Sequence, residues 1–358
     1  GVAMRGKLAI LRPWLILGVV CGGFSLHPGF LHTFWSRAYL PNIAQQAASN
    51  IILAVGMTFV ILTAGIDLSV GSVLALCGVA LGLTVKQGPP PFIAALMAVP
   101  LGVLAAALLR RRGTLWAAAG GLFGWLVAMV AIVAATRGGL RLEGALLLCL
   151  CCGLGCGLIS GLTVTLGRVP PFVVTLGMLT AARGLTVFAT DGQSVSGLPA
   201  RLGTLGQGWP LVLLATAVVV AGSVLLTRTR LGRYLVAVGG NEEAARLSGL
   251  DLVAIKTTAY ALSGLTAAVA AIAITAKFAV ADTGAGTNAE LNAIAAVVIG
   301  GTSLSGGKGS VVGSLVGALT IAVLNAGLVL VGVRDTLQGV VIGAVIVAAV
   351  MLDQARRR

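Results

Sequence analysis

Asn50-Ile51-Ile52-Leu53-Ala54-Val55-Gly56-Met57-Thr58-Phe59-Val60-Ile61-Leu62-Thr63-Ala64 is an unbroken apolar run, and it gives way at once to Gly65-Ile66-Asp67-Leu68-Ser69-Val70-Gly71-Ser72. The run lacks the polar-apolar alternation of a barrel strand, so it reads as helix. At 15 residues it is short for a hydrocarbon core that takes about 20 apolar residues to cross. A short apolar helix followed by a small polar tract with an acid in it is the local signature of a span broken at membrane depth.

The rest of the chain extends this reading. Apolar runs recur near 11–30, 68–86, 92–109, 115–135, 144–166, 171–189, 210–227, 255–279, 289–301, 310–331 and 336–353, twelve in all with 50–64. Hydrophobic residues make up 58% of the 358 and charged residues only 9%, where a soluble domain carries about 25% charged residues. Lipid leaves helices as the way to pair the backbone of such runs. The expected fold is an all-α, polytopic membrane bundle of about 10–12 transmembrane helices, forming a single domain over 1–358. The run 289–301, with 13 residues, is also short, and Thr302-Ser303-Leu304-Ser305-Gly306-Gly307-Lys308-Gly309-Ser310 follows it. Paired short, glycine-interrupted segments in two halves of a chain point to a transport pathway built from broken or re-entrant helices.

The formal net charge of +14 does not indicate nucleic acid, because no soluble stretch is long enough to form a basic face. With the amino end inside and one crossing per run, sixteen Lys and Arg fall in inner loops and six in outer ones. That bias puts both termini in the cytoplasm. Arg5, Lys7 and Arg12 precede the apolar 14–26 without a small-x-small cleavage site, so a retained first span is expected. His27 and His32 give no metal or catalytic spacing. Cys149, Cys151, Cys152 and Cys156 lie among Leu and Gly with Cys21 and Cys77 in other apolar runs, and they read as small packing residues, with no metal site.

One segment, 228–256, is dense in charge: Arg228, Arg230, Arg233, Glu242, Glu243, Arg246, Asp251 and Lys256. On the positive-inside scoring it is cytoplasmic. Glu243-Ala244-Ala245-Arg246-Leu247-Ser248-Gly249 favours a short helix with Asn241 as its cap and Gly249 as its end. It has the EAA-x-x-x-Gly form of the loop by which permeases of ABC importers engage their ATPases, although the later Ile and Leu-Pro of that motif are missing. A plain solvated loop is the alternative. Gly306-Gly307-Lys308-Gly309-Ser310 is not a phosphate-binding loop, since Thr302 and Gly309 stand where a Gly and a Ser or Thr are required.

Residues 50–72 resemble the ribose/xylose-type ABC permease family. So do Gly167-Arg168-Val169-Pro170-Pro171-Phe172-Val173-Val174-Thr175-Leu176-Gly177-Met178, Thr229-Arg230-Leu231-Gly232-Arg233 with Gly239-Gly240-Asn241, and Gly300-Gly301-Thr302-Ser303-Leu304-Ser305-Gly306-Gly307. The resemblance runs from about residue 40 to the carboxyl end. It implies a bacterial inner-membrane permease, paired with itself or a sister chain. It also implies a separate ABC ATPase on the cytoplasmic side and an extracytoplasmic binding protein that delivers a monosaccharide. On this reading the chain binds no cofactor and performs no covalent chemistry. Residues 110–143, with Arg110, Arg111, Arg112, Trp116 and Trp125, stand as an insertion relative to ribose-type members and are similar to the longer xylose-type ones.

Coupling to the ATPase is assigned to Asn241, Glu243, Ala244, Ala245 and Gly249. Candidates for the substrate pathway are Asn50, Asp67, Ser69, Phe172, Thr175 and Asn288, which supply the amide, hydroxyl, carboxyl and aromatic groups that sugars contact. Asp67 carries two open readings: a functional acid at membrane depth, or a cap for the helix that follows it. Asp191, Arg201, Asp282 and Glu290 fall at the outer end, and they read either as salt-bridge partners for a docking binding protein or as parts of a plain solvated loop. Other small polar solutes (nucleoside, inositol, furanone) stay open as cargo. An ion-coupled carrier would call for several buried acids, and Asp67 is nearly alone.

Overall fold

A computed structural model describes residues 2–26, 34–36, 39–110 and 113–355; His27, His32, Arg37, Arg111, Arg112, Arg356, Arg357 and Arg358 lie outside the described residues. Among the described residues there are fifteen helices and no strand beyond an isolated antiparallel bridge between Val195 and Ala281. They are α1 (Val2–Ser25), α2 (Tyr39–Leu62), α3 (Val70–Lys86), α4 (Pro91–Leu109), α5 (Thr114–Ala135), α6 (Leu142–Leu166), α7 (Pro171–Thr190), α8 (Ala200–Gly206), α9 (Trp209–Arg228), α10 (Arg230–Gly240), α11 (Glu242–Leu247), α12 (Leu252–Phe278), α13 (Ala289–Ile299), α14 (Val311–Leu330) and α15 (Asp335–Ala355). Each of the twelve apolar runs coincides with one helix, and α8, α10 and α11 fill polar segments. Among the described residues, eight helices (α2, α4, α5, α6, α7, α9, α12 and α14) are long and apolar enough to cross a membrane, and α3, α13 and 13–25 of α1 are shorter apolar helices. The chain is an all-α polytopic membrane bundle.

One expectation changes. The run 50–64 is not a short span but the carboxyl-terminal part of α2, which has 24 residues. Asn42, Gln45, Gln46 and Ser49 break the apolar count ahead of Asn50, yet the backbone there is helical. Gln45 meets its polar requirement by accepting a hydrogen bond from the Gly208 N–H at 3.2 Å. The run 289–301 does stay short: α13 has 11 residues.

The chain forms two compact units, the first comprising Gly1–Gly65, Gly208–Leu252 and Ala289–Arg358, the second Ile66–Gln207 and Val253–Asn288. In the first, α2 is the central helix, packed against α9, α13 and α14, with Ile43, Ala47 and nearly everything from Ile51 to Leu62 buried. Glycine lets α14 approach α13 closely. A Cβ on Gly317 would lie 1.9 Å from the Ala296 carbonyl oxygen, and one on Gly300 would lie 2.4 Å from that of Gly313. The Thr58 and Ser314 hydroxyls pair at 2.7 Å across α2 and α14, as polar side chains do between membrane helices.

In the second unit, α3 is buried from Val70 to Thr84 and packs against α6 and α7. The Gly153, Gly157 and Gly161 stripe of α6 lies against the backbone of α12 at Gly264, Tyr260 and Thr257, a small-xxx-small contact that needs no side chain between the helices. Helix α5 lies against α4 through Gly102, Gly121 and Gly124, and the Trp125 indole donates to the Ala95 carbonyl at 2.9 Å. Its other face, with Leu115, Trp116 and Phe123, is exposed, as suits a helix bathed in lipid.

Candidate functional site

The charged segment of the sequence folds as two helices joined by one residue. Thr229 ends α9 and caps α10: its hydroxyl donates to the Leu225 carbonyl at 2.6 Å and accepts from the Gly232 N–H at 3.3 Å. Helix α10 buries Gly232, Leu235 and Val238 and leaves Arg230, Arg233 and Tyr234 exposed. Asn241 then closes one helix and opens the next. Its N–H donates to the Ala237 carbonyl at 3.1 Å, and its side-chain oxygen accepts from the Ala244 N–H at 2.9 Å.

Helix α11 is closed at both ends by its own residues. At the far end Gly249 takes φ +81°, its N–H donates to the Arg246 carbonyl at 3.0 Å, and the Leu250 N–H donates to the Ala245 carbonyl at 3.2 Å. This is the Schellman closure, which favours glycine at that position. Glu242 and Glu243 in the first turn and Arg246 in the last complement the helix dipole. Arg246 and Glu243 form a salt bridge at 2.6 Å with both side chains about two-thirds exposed, 63% and 64%. The carboxylate beside it raises the Arg246 guanidinium above its usual value, although an ion pair so open to water adds little stability. Ala245 faces inward, 5% exposed, and Leu247 points out at 78%. Leu247 is a residue the sequence argument passed over.

Of the pathway candidates, the structure gathers Asp67, Ser69 and Thr175 in the second unit. Asp67 is 2% exposed and accepts three hydrogen bonds: from the Ser69 N–H at 3.0 Å, the Ser69 hydroxyl at 2.6 Å and the Ser263 hydroxyl at 2.7 Å. The helix-cap reading is replaced, because α3 starts at Val70 and its N-cap residue is Ser69. Asp67 instead ties the chain ahead of α3 to the middle of α12. Thr175, fully buried, donates to the Pro171 carbonyl at 3.0 Å and reaches the Ile66 carbonyl at 3.3 Å. Phe172, one turn before it on α7, is 54% exposed. Asn288 is exposed with φ +62°. Asn50 lies in the first unit on α2, and its side-chain oxygen is buried without a hydrogen-bond partner.

Sequence reasoning missed Ser263 and Tyr260, one turn apart on α12, both buried, the tyrosine hydroxyl without a partner. Nothing local marks Ser263, whose partner is far away in the chain. The Arg183 guanidinium donates to the carbonyls of Thr283 at 2.7 Å and Ala285 at 3.1 Å, and so holds that loop. Asp282 is engaged within its own surroundings, accepting from the Ser194 hydroxyl and the Gly284 N–H, each at 3.1 Å. Cys77, Cys149, Cys152 and Cys156 are buried, with the Cys149 thiol 3.4 Å from the Cys77 carbonyl. Among the described residues no group of three or more His, Cys, Asp or Glu is arranged to hold a metal ion.

A family model described as "Branched-chain amino acid transport system / permease component" matches residues 39–112 and 117–350. The chain belongs to this permease family. Among its relatives is the ribose import permease protein RbsC of Escherichia coli K12, 40% identical over 333 residues, covering 90% of this chain and 88% of that protein. The RbsC of Bacillus subtilis is 37% identical over 360 residues, covering 98% of this chain and 94% of that protein. The xylose transport system permease protein XylH of Escherichia coli K12 is 33% identical over 391 aligned positions, covering 91% and 87%. No solved structure matches the chain. As a family member with eight helices fit to span a bilayer, it is a multi-pass inner-membrane permease component.

Proposed function

We propose that the chain is the membrane-spanning subunit of a binding-protein-dependent ABC importer whose cargo is a monosaccharide, a pentose such as ribose or xylose. The observation that carries the reading is the self-capped helix α11, exposed between apolar helices in a chain akin to ribose import permeases. Both units act as one permease domain, paired with a second copy or a sister chain, and 110–143 is an insertion in it. Both termini and 228–256 face the cytoplasm. An ABC ATPase grips α11 through Asn241, Glu243, Ala244, Ala245 and Gly249, with Leu247 as the apolar contact, and an extracytoplasmic binding protein delivers the sugar at the other side. The chain does no covalent chemistry itself. Asn50, Phe172 and Asn288 supply an amide, a ring and a second amide for passing contacts with the sugar, and Asp67, Ser69 and Thr175 are the further pathway residues.

Reconstitution with the ATPase and binding protein tests this directly: ribose uptake that depends on ATP is the expected result, and uptake that persists without the ATPase overturns it. Glu243→Lys removes the partner of Arg246 and reverses charge at the helix start. Gly249→Pro denies the closing N–H and the positive φ. Both variants insert in the membrane and lose ATP-coupled uptake; normal uptake in both refutes the role given to α11.

A further inference from the structure

Three backbone segments of the first unit meet with no side chain between them. The Leu62 carbonyl, the last of α2, accepts the Gly307 N–H at 3.0 Å. A Cβ built on Gly239, at the end of α10, would lie 1.7 Å from that same carbonyl oxygen and 2.6 Å from the Gly307 nitrogen. One on Gly306 would lie 2.8 Å from the Gly239 oxygen and 2.9 Å from the Ala64 nitrogen, and one on Gly307 would lie 2.7 Å from the Gly240 Cα. Gly306 and Gly307 also hold φ values of +82° and +72°, so both conformation and space require glycine there.

The position of this meeting point in the chain gives it its meaning. Gly240 is followed by Asn241, whose N–H is bonded back into α10 and whose side chain caps α11. A displacement of α11 is therefore passed to the end of α10 through hydrogen-bonded backbone. Beyond the contact lie the end of α2 on one side and, four residues past Gly307, the start of α14 on the other. Backbone pressed on backbone has no rotamers to absorb motion, and closely packed interiors transmit strain. We infer that Gly239, set against Leu62 and Gly306-Gly307, is the joint that carries movement of α11 into the membrane helices α2 and α14. The inference rests on the coupling role proposed for α11 and gives that role its route.

The test contrasts neighbouring glycines in the full-length chain, assembled with its native ATPase and binding protein. Gly239→Ala forces the joint apart, whereas a Cβ on Gly240 meets nothing within 4 Å. Gly239→Ala is expected to retain ATPase binding and ATP hydrolysis and to lose sugar uptake by about tenfold or more, the scale on which an overpacked contact shifts a balance of states. Gly240→Ala keeps normal uptake per ATP. Normal coupling in Gly239→Ala, or equal loss in both, overturns the joint. Should Gly239→Ala fail to assemble, amide exchange in the unaltered chain decides: docking the ATPase is expected to slow exchange across 302–309, and unchanged exchange there refutes transmission. A wild-type chain that binds no ATPase overturns the coupling role itself, which separates that failure from failure of the joint.

Discussion

The break at 63–69 is held by a carboxylate, while that at 300–310 is held largely by the backbone itself. Both begin alike. At the end of α2 the Ala64 N–H donates to the Ile61 carbonyl and the Gly65 N–H to that of Val60; at the end of α13 the Gly301 N–H donates to the Val298 carbonyl and the Thr302 N–H to that of Val297. These are the same Schellman closure, with Ala64 (φ +59°) in one and Gly301 (φ +86°) in the other at the left-handed position. After that they part. The first relies on Asp67 with Ser69 and Ser263, the second on turns such as Ser303 N–H to the Lys308 carbonyl at 2.9 Å and Gly306 N–H to the Ser303 carbonyl at 2.9 Å. Ser310 then caps α14 by accepting the Gly313 N–H at 3.3 Å. Unpaired backbone at membrane depth is costly, and a side chain and a turn are two ways of pairing it. The first can be broken by deleting a group, the second by adding one.

The largest effect is expected at Asp67. Asp67→Ala strands the Ser69 N–H and two hydroxyls, each worth about 1–3 kcal/mol when buried without a partner, so unfolding in detergent should show a loss of about 3 kcal/mol or more. Asp67→Asn keeps an acceptor and should lose about half as much; a loss equal to that of Asp67→Ala would show that the retained oxygen does not hold the brace. Next comes the close helix approach behind the second tract. Gly317→Ala drives a methyl into the Ala296 carbonyl and should cost about 1–3 kcal/mol by the same measurement. The smallest effects are reciprocal. A Cβ on Gly301 would meet nothing within 4 Å, so Gly301→Ala isolates the cost of the left-handed backbone, about 1 kcal/mol. Ala64→Gly should gain up to about 1 kcal/mol by relieving it. If the two changes fail to oppose each other in thermal unfolding, the likeness of the two closures is only geometric.

Features set by neighbours in sequence were legible. All twelve apolar runs became helices, and Asn241 and Gly249 stand at the ends of α11 because caps act within three or four residues. The start of α2 was hidden because polarity was counted where Gln45 in fact pairs with Gly208 across the first unit. Asp67 was legible as a costly acid, but Ser263 was not, since it lies 196 residues away. The meeting of Leu62, Gly239 and Gly307 was likewise out of reach: each glycine looks ordinary among 51, and only tertiary packing singles these out. The side chains of Thr175 and Asp282 looked free for ligands and are committed to local hydrogen bonds.

The closed ends of α11 have a kinetic consequence. With Asn241 and Gly249 satisfying its terminal backbone groups, this six-residue segment does not wait for a visitor to order it. A partner that docks at Glu243 and Leu247 as proposed meets a finished surface and loses little entropy in the encounter. A contact of that kind forms without a folding step.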